Sequence, residues 1–305
     1  LVMAVTGTKV MPAKTGAAKA PLVFVLFWPA ALVAAMAAAV GVQLDSPTAT
    51  YALAGLILLG GLPHGAFDIA LATRAWRLGH RATAAIVGAY LGVGAAMALA
   101  WFATPSLALV LFLGFSALHF GEDWTMLEAG LLRAMAGLSV IASAAIGQPD
   151  DVSALFVLLA PEGGAMIARA AMALAPVALL VTVVGLVIAW GDGARQWAVA
   201  QATALLCLLT MPPTLGFFLY FVLLHAPRHL AGLEQVLPGW SVARLWLYGG
   251  AITTLALLFA AVLGPGFWSG DPAGFAAEGF RILSIVAAPH LLLSIAMDRR
   301  IAGAA

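Results

Sequence analysis

M-I-A-R-A-A-M-A-L-A-P-V-A-L-L-V-T-V-V-G-L-V-I-A-W, residues 166–190, carries one charged side chain, Arg169, and none after it. A helix needs about 20 apolar residues to cross the hydrocarbon core of a bilayer. This stretch is long enough, and it is apolar on every face, which a helix tolerates only when it is buried or in lipid. Comparable runs occupy residues 21–41, 82–103 and 243–264. Shorter or more interrupted ones lie at 51–73, 105–120, 131–147, 196–211, 213–230 and 279–297. The expected fold is therefore all-α, a polytopic membrane helix bundle of about ten spans, within a range of eight to ten.

Composition closes off the other classes. Of 305 residues, 64% are hydrophobic and 9% charged, whereas soluble domains carry about a quarter charged residues. Fourteen basic and thirteen acidic side chains cannot cover a globule of this size. The formal net charge of +1 excludes a nucleic-acid binder, which must neutralise phosphates. A single cysteine, Cys207, excludes a disulfide framework and a Cys-rich metal cluster.

The loop charges orient the bundle. Lys9, Lys14 and Lys19, then Arg74, Arg77 and Arg81, then Arg228 and Arg244, and finally Arg299 and Arg300 fall on one side of a ten-span chain. Asp45, then Asp150, Asp151 and Glu162, then Asp271 and Glu278 fall on the other. Basic loops stay in the cytoplasm, so both termini are expected there, in a multi-pass protein of the cell inner membrane. Residues 1–20 read as a cytoplasmic arm ahead of a retained first helix. Residues 21–300 read as one transmembrane catalytic domain.

Five of six histidines, His64, His119, His225, His229 and His290, lie in or at the ends of expected spans; His80 sits in a basic loop. An ionisable group at such depth marks a site or a pathway. Distances to the flanking charges, at about 1.5 Å per helical residue, place all five in the cytoplasmic half. In P-H-G-A-F-D, His64 and Asp68 are four apart; in H-F-G-E-D, Asp123 follows His119 by four and Glu122 by three. On a helix these spacings share a face, so each carboxylate is expected to orient the imidazole of its own motif. H-A-P-R-H places His225 and His229 one turn apart, a metal-chelating separation, with Pro227 bending the helix and Arg228 reading as a headgroup anchor. Gly61, Gly65 and Gly121 allow neighbouring helices to approach beside the histidines.

His64, His119, His225 and His229 thus offer four nitrogen ligands, a set that suits Zn, Cu, Fe or Ni alike. Phe67, Phe120, Tyr220 and Phe221 crowd the same segments and could line a slot for a long apolar substrate. On residues alone the chain is an intramembrane histidine-ligated metal enzyme or carrier.

The motifs P-H-G-A-F-D at 63–68, S-A-L-H-F-G-E-D at 116–123, H-A-P-R-H at 225–229 and A-P-H-L-L-L at 288–293 resemble, in order, those of the Brp/Blh family of membrane β-carotene 15,15′-dioxygenases. The resemblance implies an enzyme that cleaves the central double bond of β-carotene with O2, giving two retinal molecules. It implies an Fe(II) cofactor on His64, His119, His225 and His229, with His290 in a supporting or substrate-facing role. Membrane lipid surrounds such an enzyme, and a microbial rhodopsin would receive the retinal. The alternatives are a membrane diiron desaturase or hydroxylase, which needs more histidines than six, and a transporter or haem carrier using intramembrane histidines.

Overall fold

The computed structural model describes residues 22–302 apart from 232, 234–236 and 238; the expected N-terminal arm lies outside the described residues. Among them the regular structure is entirely helical. In chain order the helices are α1 (Leu22–Ala39), α2 (Pro47–Gly65), α3 (Asp68–Ala75), α4 (His80–Ala103), α5 (Pro105–Gly121), α6 (Gly130–Gly147) and α7 (Pro149–Leu159). There follow α8 (Gly164–Gly191), α9 (Arg195–Thr210), α10 (Pro213–Tyr220), a π-helical segment (Phe221–His225), α11 (Ala226–Leu230), α12 (Val242–Leu263) and α13 (Pro272–Ala302).

Local chemistry sets these boundaries. Pro47, Pro105, Pro149 and Pro213 open α2, α5, α7 and α10, where a missing N–H costs nothing and the ring pre-sets φ. Ser46 caps α2 by accepting the Ala49 N–H, and Ser241 caps α12 by accepting that of Arg244; such caps satisfy donors that a helix start leaves orphaned.

Among the described residues, six helical segments are long and apolar enough to cross a membrane: Pro47–Ala75 (α2 followed by α3), His80–Ala103, Gly130–Gly147, Gly164–Gly191, Val242–Val262 and Pro272–Met297. Phe24–Ala39 and Pro105–Gly121 are apolar but shorter. Six, rather than ten, therefore meet length and composition. Side-chain placement favours lipid: on α8, Ala171, Ala175 and Ala178 are buried while Leu180 and Val187 are each 66% exposed. Small residues face the bundle and large apolar ones face outward, the arrangement of membrane helices. Thr182 and Ser139 donate their hydroxyls to carbonyls of their own helices, Ala178 and Ala136, so neither is left unpaired between α6 and α8.

Four expectations are corrected. The run 51–73 is not one helix: the chain turns at Ala66 and Phe67 and restarts at Asp68. The run 213–230 contains the π segment, which widens one turn by a residue. The stretch between the runs 131–147 and 166–190, outside every expected span, holds α7, whose Val152, Phe156 and Leu159 are buried. Glu278, expected in an outer loop, is inside α13, 3% exposed and paired with Arg281 at 2.7 Å. The bundle core gathers around α13, which packs on α2, α4 and α5.

Candidate metal centre

His64 stands one residue before the end of α2 and His119 two before the end of α5. Unpaired carbonyls and the helix dipole make both ends favourable places for a cation. His225 closes the π segment and His229 follows in α11. The wider π turn sets the rotation at which His225 meets the other rings. Close packing needs glycine here: a Cβ on Gly61 would strike the Phe221 ring, and one on Gly121 would meet the Arg133 backbone.

The rings converge. Centre-to-centre separations among His64, His119, His225 and His229 run from 4.5 Å for His225–His229 to 6.0 Å for His64–His119. Two imidazoles whose nitrogens each lie about 2.1 Å from one ion have centres about 4.5 to 6.5 Å apart. Ligand atoms of His64, His119 and His225 all lie within 4.8 Å of one another, as do those of Asp123, His225 and His229. His290 joins them, 4.8 Å from both His64 and His119, whereas His80 is exposed at the start of α4.

Hydrogen bonds fix the tautomers. His64 Nδ1 donates to the Gly61 carbonyl. His225 Nδ1 donates to Asp123 Oδ2 at 2.9 Å, and His119 Nδ1 faces Glu122 Oε2 at 3.3 Å. Glu122 is held in turn by the Ser294 hydroxyl at 2.6 Å. A donor at Nδ1 leaves the lone pair on Nε2. His225 Nε2 and His119 Nε2 stand 3.0 Å apart, and Asp123 holds the proton of His225 on Nδ1, so His225 presents its lone pair to this gap. A cation between the two nitrogens can take that lone pair together with one from His119. The Tyr220 hydroxyl and the Nε2 atoms of His229 and His290 are buried without a hydrogen-bond partner, which adds donors and acceptors to the same centre. These groups fit a bound metal ion.

The carboxylates serve different imidazoles from those expected. Asp68 does not hold His64, because the turn at Ala66–Phe67 takes it off that face; it binds His290 Nδ1 at 2.9 Å through both oxygens. Asp123 does not hold His119, because α5 has ended at Gly121; it holds His225. Only Glu122 stays beside the histidine of its own motif. Arg228 is no headgroup anchor: it pairs with Asp123 Oδ1 at 3.2 Å and lies over the Trp197 ring. With its charge taken by Arg228 and His225, Asp123 acts as an anchor for imidazole.

Aromatic rings wall the cluster. Phe221 packs edge-on to His64 at 5.4 Å, Phe120 edge-on to His225 at 5.0 Å, and Tyr220 stacks on His225 at 5.8 Å. Phe67 is displaced from the cluster, packing on Tyr248 and lining a cavity of about 570 Å³ between α2 and α12. Leu59, Pro63, Trp246 and Gly250 also line it, and Trp246 is 77% exposed. A second cavity, of about 70 Å³, touches His64, Tyr90 and His290 and shares Thr253 with the first. Sequence reading missed Tyr90, whose hydroxyl donates to Asp68 Oδ2 at 2.8 Å; a lone phenol in the apolar run 82–103 was the available signal.

No solved structure matches the chain. The probable β-carotene 15,15′-dioxygenase Blh of Halobacterium salinarum is 29% identical over 238 residues, 68% of each chain. The family profile for β-carotene 15,15′-dioxygenase matches residues 54–298, a span that takes in every histidine of the cluster, and the chain belongs to that family.

Proposed function

We propose that this protein cleaves the central C15=C15′ bond of β-carotene with O2 inside the cell inner membrane, with both termini cytoplasmic, and releases two retinal molecules for a microbial rhodopsin. Ferrous iron is the proposed cofactor, held by His64, His119, His225 and His229. The observation that carries this reading is the convergence of the imidazoles, with Nδ1 of His64 and of His225 held by hydrogen bonds and a small apolar cavity touching His64 and His290. Bound iron would supply what the side chains lack, a centre that binds and activates O2.

Everything else falls to the chain. One O2 and one polyene account for all atoms of two aldehydes, so neither a reductant nor an obligatory proton transfer is needed. Asp68, Asp123 and Glu122 accordingly orient rings rather than abstract protons. Phe120, Tyr220 and Phe221 exclude water, and the cavity between α2 and α12 positions a lipid-soluble substrate so that its middle, not its end, faces the histidines.

Expression in a bacterium that accumulates β-carotene tests this. Colour should fade as retinal appears. Alanine at His64, His119, His225 or His229 should abolish retinal formation, while His80→Ala should leave it intact. Persistent colour with the protein present in the membrane, or aldehydes of unequal length, would overturn the reading.

A further inference from the structure

His290 has the tautomer, the burial and the ring position of a metal donor. It comes from α13, the C-terminal helix, and directly follows Pro289. Its Nδ1 lies 2.9 Å from both oxygens of Asp68, and a carboxylate can only accept, so Nδ1 carries the proton. Asp68 is itself 6% exposed and receives the Tyr90 hydroxyl at 2.8 Å. The lone pair therefore sits on Nε2, which is buried and has no hydrogen-bond partner.

Placement agrees with tautomer. The His290 ring is 4.8 Å from His64, closer than His119, His225 or His229 come to that ring, and it stands at 90° to it. It is also 4.8 Å from His119. Gly65 makes room for it: a Cβ there would lie 3.2 Å from the ring. A carboxylate behind a metal-bound histidine fixes the ring and raises its basicity. Among the described residues, His225 with Asp123 is built the same way.

We infer that His290 Nε2 is a fifth imidazole donor to the metal ion, and that Asp68 with Tyr90 behind it is the positioning pair that aims this ring. The inference rests on the metal-centre reading above. It makes the last transmembrane helix part of the centre, so that four separate segments of the chain close on one ion.

Cobalt(II), whose visible bands report ligand number, is the probe for the purified full-length chain. His290→Ala should weaken cobalt retention to the same degree as His119→Ala and change the bands, and free imidazole should restore both. Asp68→Asn should lower cobalt affinity by about 10- to 100-fold. Tyr90→Phe, which removes one part-buried hydroxyl, should shift the bands without loss of protein and covers the case in which His290→Ala does not fold. Unchanged bands and full retention in His290→Ala, with only retinal formation reduced, would overturn the inference and assign the ring to the substrate. A wild-type chain that binds no cobalt and no iron would instead bring down the metal-centre reading itself.

Discussion

Asp123 shows how much one buried carboxylate does. It accepts from His225 at 2.9 Å, pairs with Arg228 at 3.2 Å and is 8% exposed. A buried charge of this kind is sustained only by paired, hydrogen-bonded partners, and here one partner is the imidazole it aims. Asp123→Asn keeps the shape but removes the charge and lets the amide turn its N–H₂ toward His225, which favours the wrong tautomer. Metal retention should fall by about 10- to 100-fold, as usual when such a supporting group is lost, with helix content unchanged. Iron per chain after a timed chelator challenge measures it. Retention equal to wild type would mean that Asp123 fastens helices and nothing more.

Helices, as units, explain both what the sequence makes legible and what it hides. The apolar runs locate α4, α6, α8 and α12 to within a few residues, and the rings of His64, His119, His225 and His229 lie 4.5 to 6.0 Å apart. The carboxylate partners were hidden because the i,i+4 rule holds only on an unbroken helix, and two helices end between histidine and aspartate. Each motif instead serves a ring brought from a distant segment, Asp68 to His290 and Asp123 to His225, a pairing that needs the packing of α2, α5 and α13 to be known. The π segment at Phe221–His225 was hidden for a similar reason, since one extra residue in a turn leaves no mark on an apolar run. Its consequence is large. The wide turn already accommodates one extra residue, and each further α-helical residue turns the chain by about 100°, so inserting an alanine after Leu223 should overfill the bulge and swing His225 and His229 away from Phe221 and the other rings. The insertion variant should reach the membrane, bind no iron and form no retinal, while Leu223→Ala retains both. Iron content and retinal in the two variants decide it, and wild-type behaviour after the insertion would show that the π turn does not aim the site.

Across the whole molecule, the cavity between α2 and α12 reaches the outward apolar surface, and a smaller cavity beside it touches His64 and His290. The rim of the larger one includes Trp246, 77% exposed, and its inner wall includes Thr253, which also borders the small cavity beside His64 and His290. We propose that the two cavities, which meet at Thr253, form the route by which a substrate dissolved in lipid reaches the imidazoles without crossing water. Gly250 lies on this route, and a Cβ there would meet nothing within 4 Å. A large side chain would project into open space rather than into the packing, so Gly250→Trp fills the cavity without straining the bundle. A displacement of reacting groups by an ångström costs about 100-fold in rate; blocking the route should lower retinal formation by about 10- to 100-fold. Iron content should stay at the wild-type value, because no imidazole or anchor is touched. Gly88→Trp on α4, where a Cβ also meets nothing within 4 Å, adds the same bulk outside the cavity lining and should leave turnover unchanged. Equal retinal formation in both variants would show that β-carotene reaches the histidines by another path through the bundle.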